Sequence, residues 1–129
     1  MSIALMPGSR LPAYCTSMGR VMLAAMPEEQ ARKVLESHPM PARTPHTLTA
    51  MDAVIAELRE TRLRGYATVD QEVELGLRSL AVPLRGARGI VVAALNTGLA
   101  ASAVPMTALV ETYLQPLQMV ARELSGILA

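Results

Sequence analysis

The stretch that decides the fold runs from residue 66 to residue 97 and reads YATVDQEVELGLRSLAVPLRGARGIVVAALNT. Three segments in it favour β-structure, namely Tyr66–Asp70, Leu77–Arg85 and Ile90–Thr97. The GARG sequence at residues 86–89 predicts a hairpin turn between the last two. Pro83 cannot donate a ladder hydrogen bond, which predicts a sheet edge or a bulge at that position. Within the third segment, Ile90–Leu95 is apolar on both faces, so we expect helices on both sides of the sheet.

Helical patterns lie on both sides of this stretch. Three precede it: one over residues 16–25 that Thr16 or Ser17 can cap, a short one that begins at Pro27 and ends near Ser37, and a longer one after Thr49. We expect Thr49 to cap this third helix and Gly65 to end it. Its apolar stripe consists of Met51, Val54, Ile55 and Leu58. A fourth helix begins near Pro105, and Pro116 is expected to kink or divide it. The first residues, Met1–Met6, predict a further strand.

The composition favours a single domain of residues 1–129 that buries much of its surface. Of its 129 residues 51% are hydrophobic and 18% are charged, and the net charge is +1. Such a charge does not match the clustered basic surface that nucleic-acid binding needs. The single cysteine excludes an internal disulfide and fits the cytoplasm, and no apolar run predicts a signal peptide or a membrane helix.

Residue types that could support enzyme chemistry are few. Cys15 lies at a helix start, but the two histidines, His38 and His46, flank a proline-rich loop without a hydrolase signature. One cysteine and two histidines also lack a recognised metal-ligand spacing. Glu72 and Glu74 are separated by a single residue, so on a strand they face the same way. A position on a solvated edge explains them better than acid/base chemistry does. The sequence therefore predicts no catalytic residues, no metal and no cofactor.

The hexapeptide CTSMGR at residues 15–20 is more informative. It combines a helix N-terminus, two hydroxyls, a glycine that permits close approach, and a cation. Free amides at a helix start bind carboxylates. Capping alone, with Gly19 required for packing and Arg20 on the surface, explains the same residues.

The sequence LPAYCTSMGRV at residues 11–21 resembles the helix motif in the effector domain of IclR-family transcriptional regulators. Three further blocks follow in the family's order: Leu48-Thr49, RGYA at residues 64–67 with Asp70 and Glu72, and GLRSLAVP at residues 76–83. The sequence AALN at residues 93–96 and the last helix complete the resemblance. The amino-acid sequences of the first block and of RTPHTLT at residues 43–49 are most similar to those of the subgroup that controls protocatechuate and 4-hydroxybenzoate catabolism.

This resemblance implies an α+β, GAF-like fold, in which helices flank an antiparallel sheet and a small organic acid binds beside it. The implied effector-binding residues are Ile3, Ser17, Met18, Gly19, Val69, Asp70, Leu77, Ser79, Leu95 and Thr97. Two-residue spacing puts Leu77 with Ser79, and Leu95 with Thr97, on a common strand face. Some relatives have their pocket acid nearer to position 69 than to Asp70.

The resemblance also implies partners. Family members form homodimers and homotetramers, and they bind DNA through an N-terminal winged helix that this chain lacks, so the effector domain is expected to be N-terminally truncated. A free-standing GAF-like binding protein or a small enzyme is the alternative. A third possibility is that residues 48–72 form part of a DNA-reading unit, which the low net charge disfavours.

Overall fold

The computed structural model describes residues 10–128, which form four helices and three strands. In chain order they are α1 (Ser17–Ala24), α2 (Glu28–Glu36), α3 (Met51–Arg64), β1 (Ala67–Asp70), β2 (Leu77–Arg85), β3 (Val91–Ala100) and α4 (Met106–Ser125). The predicted order of elements from residue 16 onward is confirmed. The strand predicted at Met1–Met6 lies outside the described residues.

The helix ends follow local chemistry. The Thr16 side chain caps α1 by accepting a hydrogen bond from the Gly19 amide, as predicted. Gly65 ends α3 with a left-handed φ of 82°, which a residue without a Cβ adopts at little cost. The prediction that Thr49 caps α3 is wrong: Ala50 is the N-cap, and it makes no side-chain hydrogen bond.

The sheet is antiparallel, with the strand order β1-β2-β3. A bulge interrupts the register of β2 and β3 between Leu84 and Arg85. Pro83 belongs to the central strand, but β1 is short and pairs only with residues 78–81 of β2. Within residues 10–128, Pro83 therefore has a neighbouring strand only on the β3 side, which reconciles it with the expected sheet edge.

Helices cover both faces of the sheet. On one face, Val21 of α1 packs against Ala67 and Ala81, and behind α1 a second core joins α1, α2 and α3 through residues such as Leu23, Leu35 and Ile55. On the other face, α4 packs against β2 and β3. The core on that side contains Val82, Leu84, Leu95, Leu114, Leu117 and Ala121. This two-sided cover explains why residues 91–95 of β3 are apolar on both faces.

Helix α4 is continuous through Pro116, so of the two expected effects of this proline, a kink or a division, the division does not occur. Its proline leaves one carbonyl of the preceding turn without its usual donor, while packing of Leu114 and Leu117 against the sheet holds the helix on both sides of that point. Val120 of this helix is 43% exposed. Across residues 10–128, no helix combines the length and apolarity that crossing a bilayer requires.

Candidate functional site

A cavity of about 340 Å³ lies between the N-terminus of α1 and the sheet. Its wall residues come from the segment before α1, from α1 itself, from β1 and the loop after it, and from β2 and β3. They are Leu11, Thr16, Ser17, Met18, Val69, Val73, Leu77, Ser79, Asn96 and Gly98. All four parts of the fold that converge here are fixed by the core described above.

The first turn of α1 provides backbone donors at one end of the cavity. Amides in the first turn of a helix have no acceptor one turn earlier. Thr16 Oγ1 accepts from the Gly19 amide at 3.1 Å and donates to the Pro12 carbonyl at 2.8 Å. The amides of Ser17 and Met18 receive no acceptor from this cap, so they remain suited to an anionic group at the helix start.

Besides Thr16, whose hydroxyl is engaged in the cap, three polar residues line the cavity: Ser17, Ser79 and Asn96. Within residues 10–128, none of the three makes a hydrogen bond. Ser17 is nevertheless only 2% exposed. Ser79 and Asn96 are half-buried. Hydroxyl and amide groups on a cavity wall can hydrogen-bond a molecule that enters the cavity.

The rest of the wall is aliphatic, from Leu11, Met18, Val69, Val73 and Leu77. No Asp, Glu, Lys or Arg side chain and no aromatic ring belongs to the described lining. Neutral donors at one end and aliphatic surface elsewhere suit a small ligand that carries one acidic or polar group on a compact apolar body.

A buried ion pair lies behind the cavity wall. Arg20 donates to both carboxylate oxygens of Glu72, at 2.7 and 2.6 Å. Arg20 is 1% exposed and Glu72 7%. The interpretations of Glu72 as a solvated edge and of Arg20 as a surface residue are therefore wrong, because each charge is neutralised by the other inside the protein.

Five of the predicted site residues line the cavity together. They are Ser17, Met18, Val69, Leu77 and Ser79. Four others, Gly19, Asp70, Leu95 and Thr97, are not among the lining residues, and Ile3 lies outside the described residues.

Gly19 serves packing instead of lining the cavity. A Cβ at this position would be 2.4 Å from Ala13 Cα and 2.5 Å from the Ala13 carbonyl oxygen. The helix can approach the preceding loop this closely only because residue 19 has no side chain.

Asp70 points to the opposite face of the sheet. Side chains alternate along a strand, and since Val69 faces the cavity, Asp70 faces away. Its carboxylate accepts from Arg78 Nε at 2.8 Å. This hydrogen bond from the guanidinium holds the pKa of Asp70 below its ordinary value.

Leu95 and Thr97 lie on that same opposite face, where Leu95 packs in the α4 core. A regular hairpin closed by the Arg85–Val91 pair would have put Thr97 opposite Ser79. The bulge shifts β3 by one residue, so that Gly98 is the partner of Ser79 and Asn96 that of Ala81. A shift of one residue exchanges the two faces of a strand.

Sequence reasoning missed Leu11, Val73, Asn96 and Gly98 as lining residues, and it treated Thr16 as a helix cap. The predicted residues Leu95 and Thr97 are direct sequence neighbours of the lining residues Asn96 and Gly98. Which of the two sets faces the cavity depends on the bulge. Val73 lies two residues after Gln71, and the φ of 59° at Gln71 is unusual for a residue with a side chain. No pattern in the sequence predicts that turn.

A larger cleft of about 530 Å³ lies between the segment at residues 10–14 and the end of α2. It is more open to solvent, and its cationic side chains, Arg10, Arg43 and His38, are exposed. Among the described residues, no group of three or more His, Cys, Asp and Glu side chains is placed to hold a metal ion. The smaller cavity, with its buried polar side chains, is the candidate site.

Residues 1–126 match the family model described as "Bacterial transcriptional regulator IclR C-terminal". The chain belongs to the IclR family. Its matches are transcriptional regulators and not enzymes, and the subgroup suggested by the sequence motifs is the one found among them. IclR-family structures also share the α+β fold.

Three relatives illustrate the similarity. The Pca regulon regulatory protein of Pseudomonas putida is 43% identical over 96% of this chain and 43% of its own length. The structure of a transcriptional regulator from Rhodococcus sp. RHA1 superposes with a TM-score of 0.92 at 38% identity, covering 98% of this chain and 50% of that one. The PobR inducer-binding domain from Acinetobacter was solved as a double mutant with 3-hydroxybenzoic acid. It superposes with a TM-score of 0.88 at 33% identity, and the match covers 92% of this chain and 67% of the PobR chain.

This IclR-family chain spans less than half the length of the curated relatives it matches. What the described residues contain is the α+β unit with its cavity. The comparison therefore concerns the C-terminal part of such regulators.

Proposed function

We propose that this chain is the ligand-sensing domain of a transcriptional regulator, and that the cavity beside α1 binds a small organic acid to control genes of aromatic catabolism. The observation that carries the proposal is the pairing of Ser17, Ser79 and Asn96, without hydrogen-bond partners among the described residues, with an otherwise aliphatic wall. Free polar groups in a small, largely buried cavity favour a ligand that satisfies them.

The size and charge of the cavity narrow the ligand class. A volume of about 340 Å³ is near the lower end of the ~300–1,000 Å³ range of small-molecule pockets. The lining has no cationic side chain, so the α1 amides and the hydroxyls are the groups available for a carboxylate. An aromatic acid such as 4-hydroxybenzoate or protocatechuate fits, and a short keto-dicarboxylate such as β-ketoadipate is the competing ligand.

One relative supports the aromatic acid. The PobR domain was solved with 3-hydroxybenzoic acid, whereas the name of the Pseudomonas putida relative, the Pca regulon regulatory protein, states no ligand. A benzoate ring is rigid and compact, and it buries apolar surface against Val69 and Leu77. A keto-dicarboxylate would require a second anion-binding group, which the described lining lacks.

A thermal-shift titration tests the ligand class. At a concentration a hundred times its dissociation constant, a ligand stabilises the folded state by about 2.7 kcal/mol, which raises the melting temperature visibly. We expect a shift with 4-hydroxybenzoate, a smaller one with benzoate, and none with 4-hydroxybenzamide, which lacks the carboxylate. A shift with β-ketoadipate and none with the aromatic acids would reject the aromatic assignment.

Two variants tie such a shift to this cavity. Ser79→Leu fills the cavity from β2 and should abolish the shift while the domain remains folded. Thr97→Leu makes a similar enlargement on the other face of the sheet and should retain it. Equal binding by Ser79→Leu and the parent would mean that the ligand binds elsewhere.

DNA recognition by this part of the chain is not supported. Val54, Ile55 and Leu58 of α3 are buried in the core that joins α1, α2 and α3, which leaves α3 poorly placed to enter a major groove. We propose that operator binding belongs to an N-terminal domain, as in the family. Sequence-specific, nanomolar binding of a promoter fragment by these residues alone would contradict this.

Self-association is a further part of the proposal. Several large apolar side chains are exposed, among them Met119, Val120 and Ile127 near the end of the chain. Exposed apolar surface of this kind is typical of protein interfaces. We expect a homodimer or a homotetramer, and sedimentation that shows a monomer at high concentration would contradict it.

A further inference from the structure

The buried pair of Arg20 and Glu72 connects three segments, two of which contribute residues to the cavity wall, yet neither residue of the pair lines the cavity. Arg20 belongs to α1, one turn after Ser17 and Met18. Glu72 directly precedes Val73 in the loop after β1. The two partners of the pair thus belong to two different segments of the cavity wall.

A third segment is attached to the same pair. Glu72 Oε1 accepts from the Leu48 amide at 3.0 Å, and the Glu72 carbonyl accepts from the Thr47 hydroxyl at 2.6 Å. On the other side, Arg20 Nε donates to the Tyr14 carbonyl at 3.0 Å. The loop at residues 43–48, the start of α1 and the loop after β1 are therefore bonded through one buried network.

From this geometry we propose that Arg20 and Glu72 are positioning residues that fix the two sides of the ligand cavity relative to each other. Removing one charge leaves the other buried without its counter-ion, which is strongly unfavourable. The remaining group then moves toward water, and it takes Val73 or the first turn of α1 with it. Ligand affinity depends on the pair for this reason, although neither side chain contacts the ligand.

The sheet contains a matched control. Asp70 and Arg78 form a second Arg–carboxylate pair, with 2.8 Å between Nε and Oδ1. This pair lies on the opposite face, where Arg78 also donates to the Val104 carbonyl at 2.7 Å. Disrupting it with Asp70→Asn removes a second Arg–carboxylate interaction, which is more exposed than the first, only two residues from Glu72 and on the face away from the cavity.

Amide hydrogen exchange on the ligand-free protein tests the proposal directly. In Glu72→Gln we expect exchange to become about tenfold faster or more at residues 14–20, 43–48 and 71–75, and to remain unchanged in α4. In Asp70→Asn these three segments should exchange as in the parent. Unchanged exchange at the three segments in Glu72→Gln, or an equal acceleration along the whole chain, would overturn the proposal.

A ligand titration adds the functional consequence, which rests on the function proposed above. With 4-hydroxybenzoate as the probe, we expect Glu72→Gln to raise the dissociation constant about tenfold, which corresponds to about 1.4 kcal/mol, and Asp70→Asn to leave it unchanged. If the Glu72→Gln protein is less stable but binds the ligand as tightly as the parent, the Arg20–Glu72 pair contributes to stability alone, and the positioning role is rejected. If the parent does not bind, the ligand assignment fails, and the exchange pattern still decides the positioning role.

A second variant covers the case in which Glu72→Gln does not fold. The double substitution Arg20→Met with Glu72→Leu removes both charges, and such apolar replacements often preserve stability. It also removes the side-chain bonds to Tyr14 and Leu48. We expect a folded protein with the same local loss of protection, whereas parent-like protection at those segments would contradict the proposal.

Discussion

Gly98 of β3 lies opposite Ser79 of β2, and a Cβ added to Gly98 would be 3.4 Å from Leu77 Cδ1. The missing side chain at position 98 is part of what keeps the cavity open. A single Cβ makes ordinary or slightly tight contact there, whereas a larger side chain has to occupy the cavity itself.

Substitutions at Gly98 should therefore act on binding in proportion to their size. We expect Gly98→Ala to retain most of the thermal shift with 4-hydroxybenzoate and Gly98→Leu to lose it. Both ligand-free proteins should melt within a few degrees of the parent. Retained binding by Gly98→Leu would show that the cavity is not the binding site.

The two neighbouring residues Leu95 and Asn96 should separate stability from binding. Leu95 packs against α4, so Leu95→Ala should lower the free energy of unfolding by about 2 kcal/mol and leave the ligand dissociation constant unchanged. Asn96 lines the cavity, so Asn96→Val should weaken binding with little effect on stability. Urea unfolding and ligand titration of both variants check this, and the reverse pattern would contradict the register of β3.

Gly19 should be intolerant of even a methyl group. Alanine is the better helix former, but its Cβ would be 2.4 Å from Ala13 Cα, and backbone cannot move aside as a flexible side chain can. We expect Gly19→Ala to destabilise the protein by about 1–3 kcal/mol. Gly126→Ala is the control, since its Cβ would be 3.5 Å from the nearest atom and should cost nothing. Equal melting temperatures for the two variants would refute this packing argument.

The Asp70–Arg78 pair should add stability that depends on pH. Hydrogen bonding from Arg78 lowers the pKa of Asp70 below its ordinary 3.8, so the folded state favours the ionised carboxylate. Its contribution is fully present above pH 3.8 and is lost as the pH falls through the lowered pKa. Because the side chain is 45% exposed, the effect is small.

Urea unfolding of the parent and of Asp70→Asn checks this between neutral pH and about pH 3. The parent should be the more stable of the two at neutral pH, and the difference should shrink in acid. A difference that stays constant across this range would mean that Asp70 does not act through its charge.

Local chemistry explains why much of the fold could be predicted. Three features depend only on residues that are close together in the sequence. They are the hydrophobic stripe of α3, the Thr16 cap and the left-handed glycine at position 65. The α+β architecture followed from the three strand-favouring segments at residues 66–97 and the flanking helical patterns, together with the family resemblance. The cavity residues of α1, β1 and β2 were predicted from that resemblance.

The parts that could not be predicted depend on long-range or irregular geometry. Because of the bulge near Leu84, the cavity face of β3 carries Asn96 and Gly98 instead of the expected Leu95 and Thr97. The pairing of Arg20 with Glu72 joins residues 52 positions apart, and nothing in the local sequence distinguishes such a pair from two solvated charges.

The aliphatic wall of the cavity has a consequence for magnetic resonance. The protein has three tyrosines, no phenylalanine and no tryptophan, and none of these rings is among the described lining residues. Few methyl groups in the free protein are therefore displaced from their usual chemical shifts by ring currents. An aromatic acid that entered the cavity would bring its own ring current to the methyls of Met18, Val69 and Leu77, whereas β-ketoadipate would bring none. The methyl spectrum would thus report both the location and the aromatic character of the ligand.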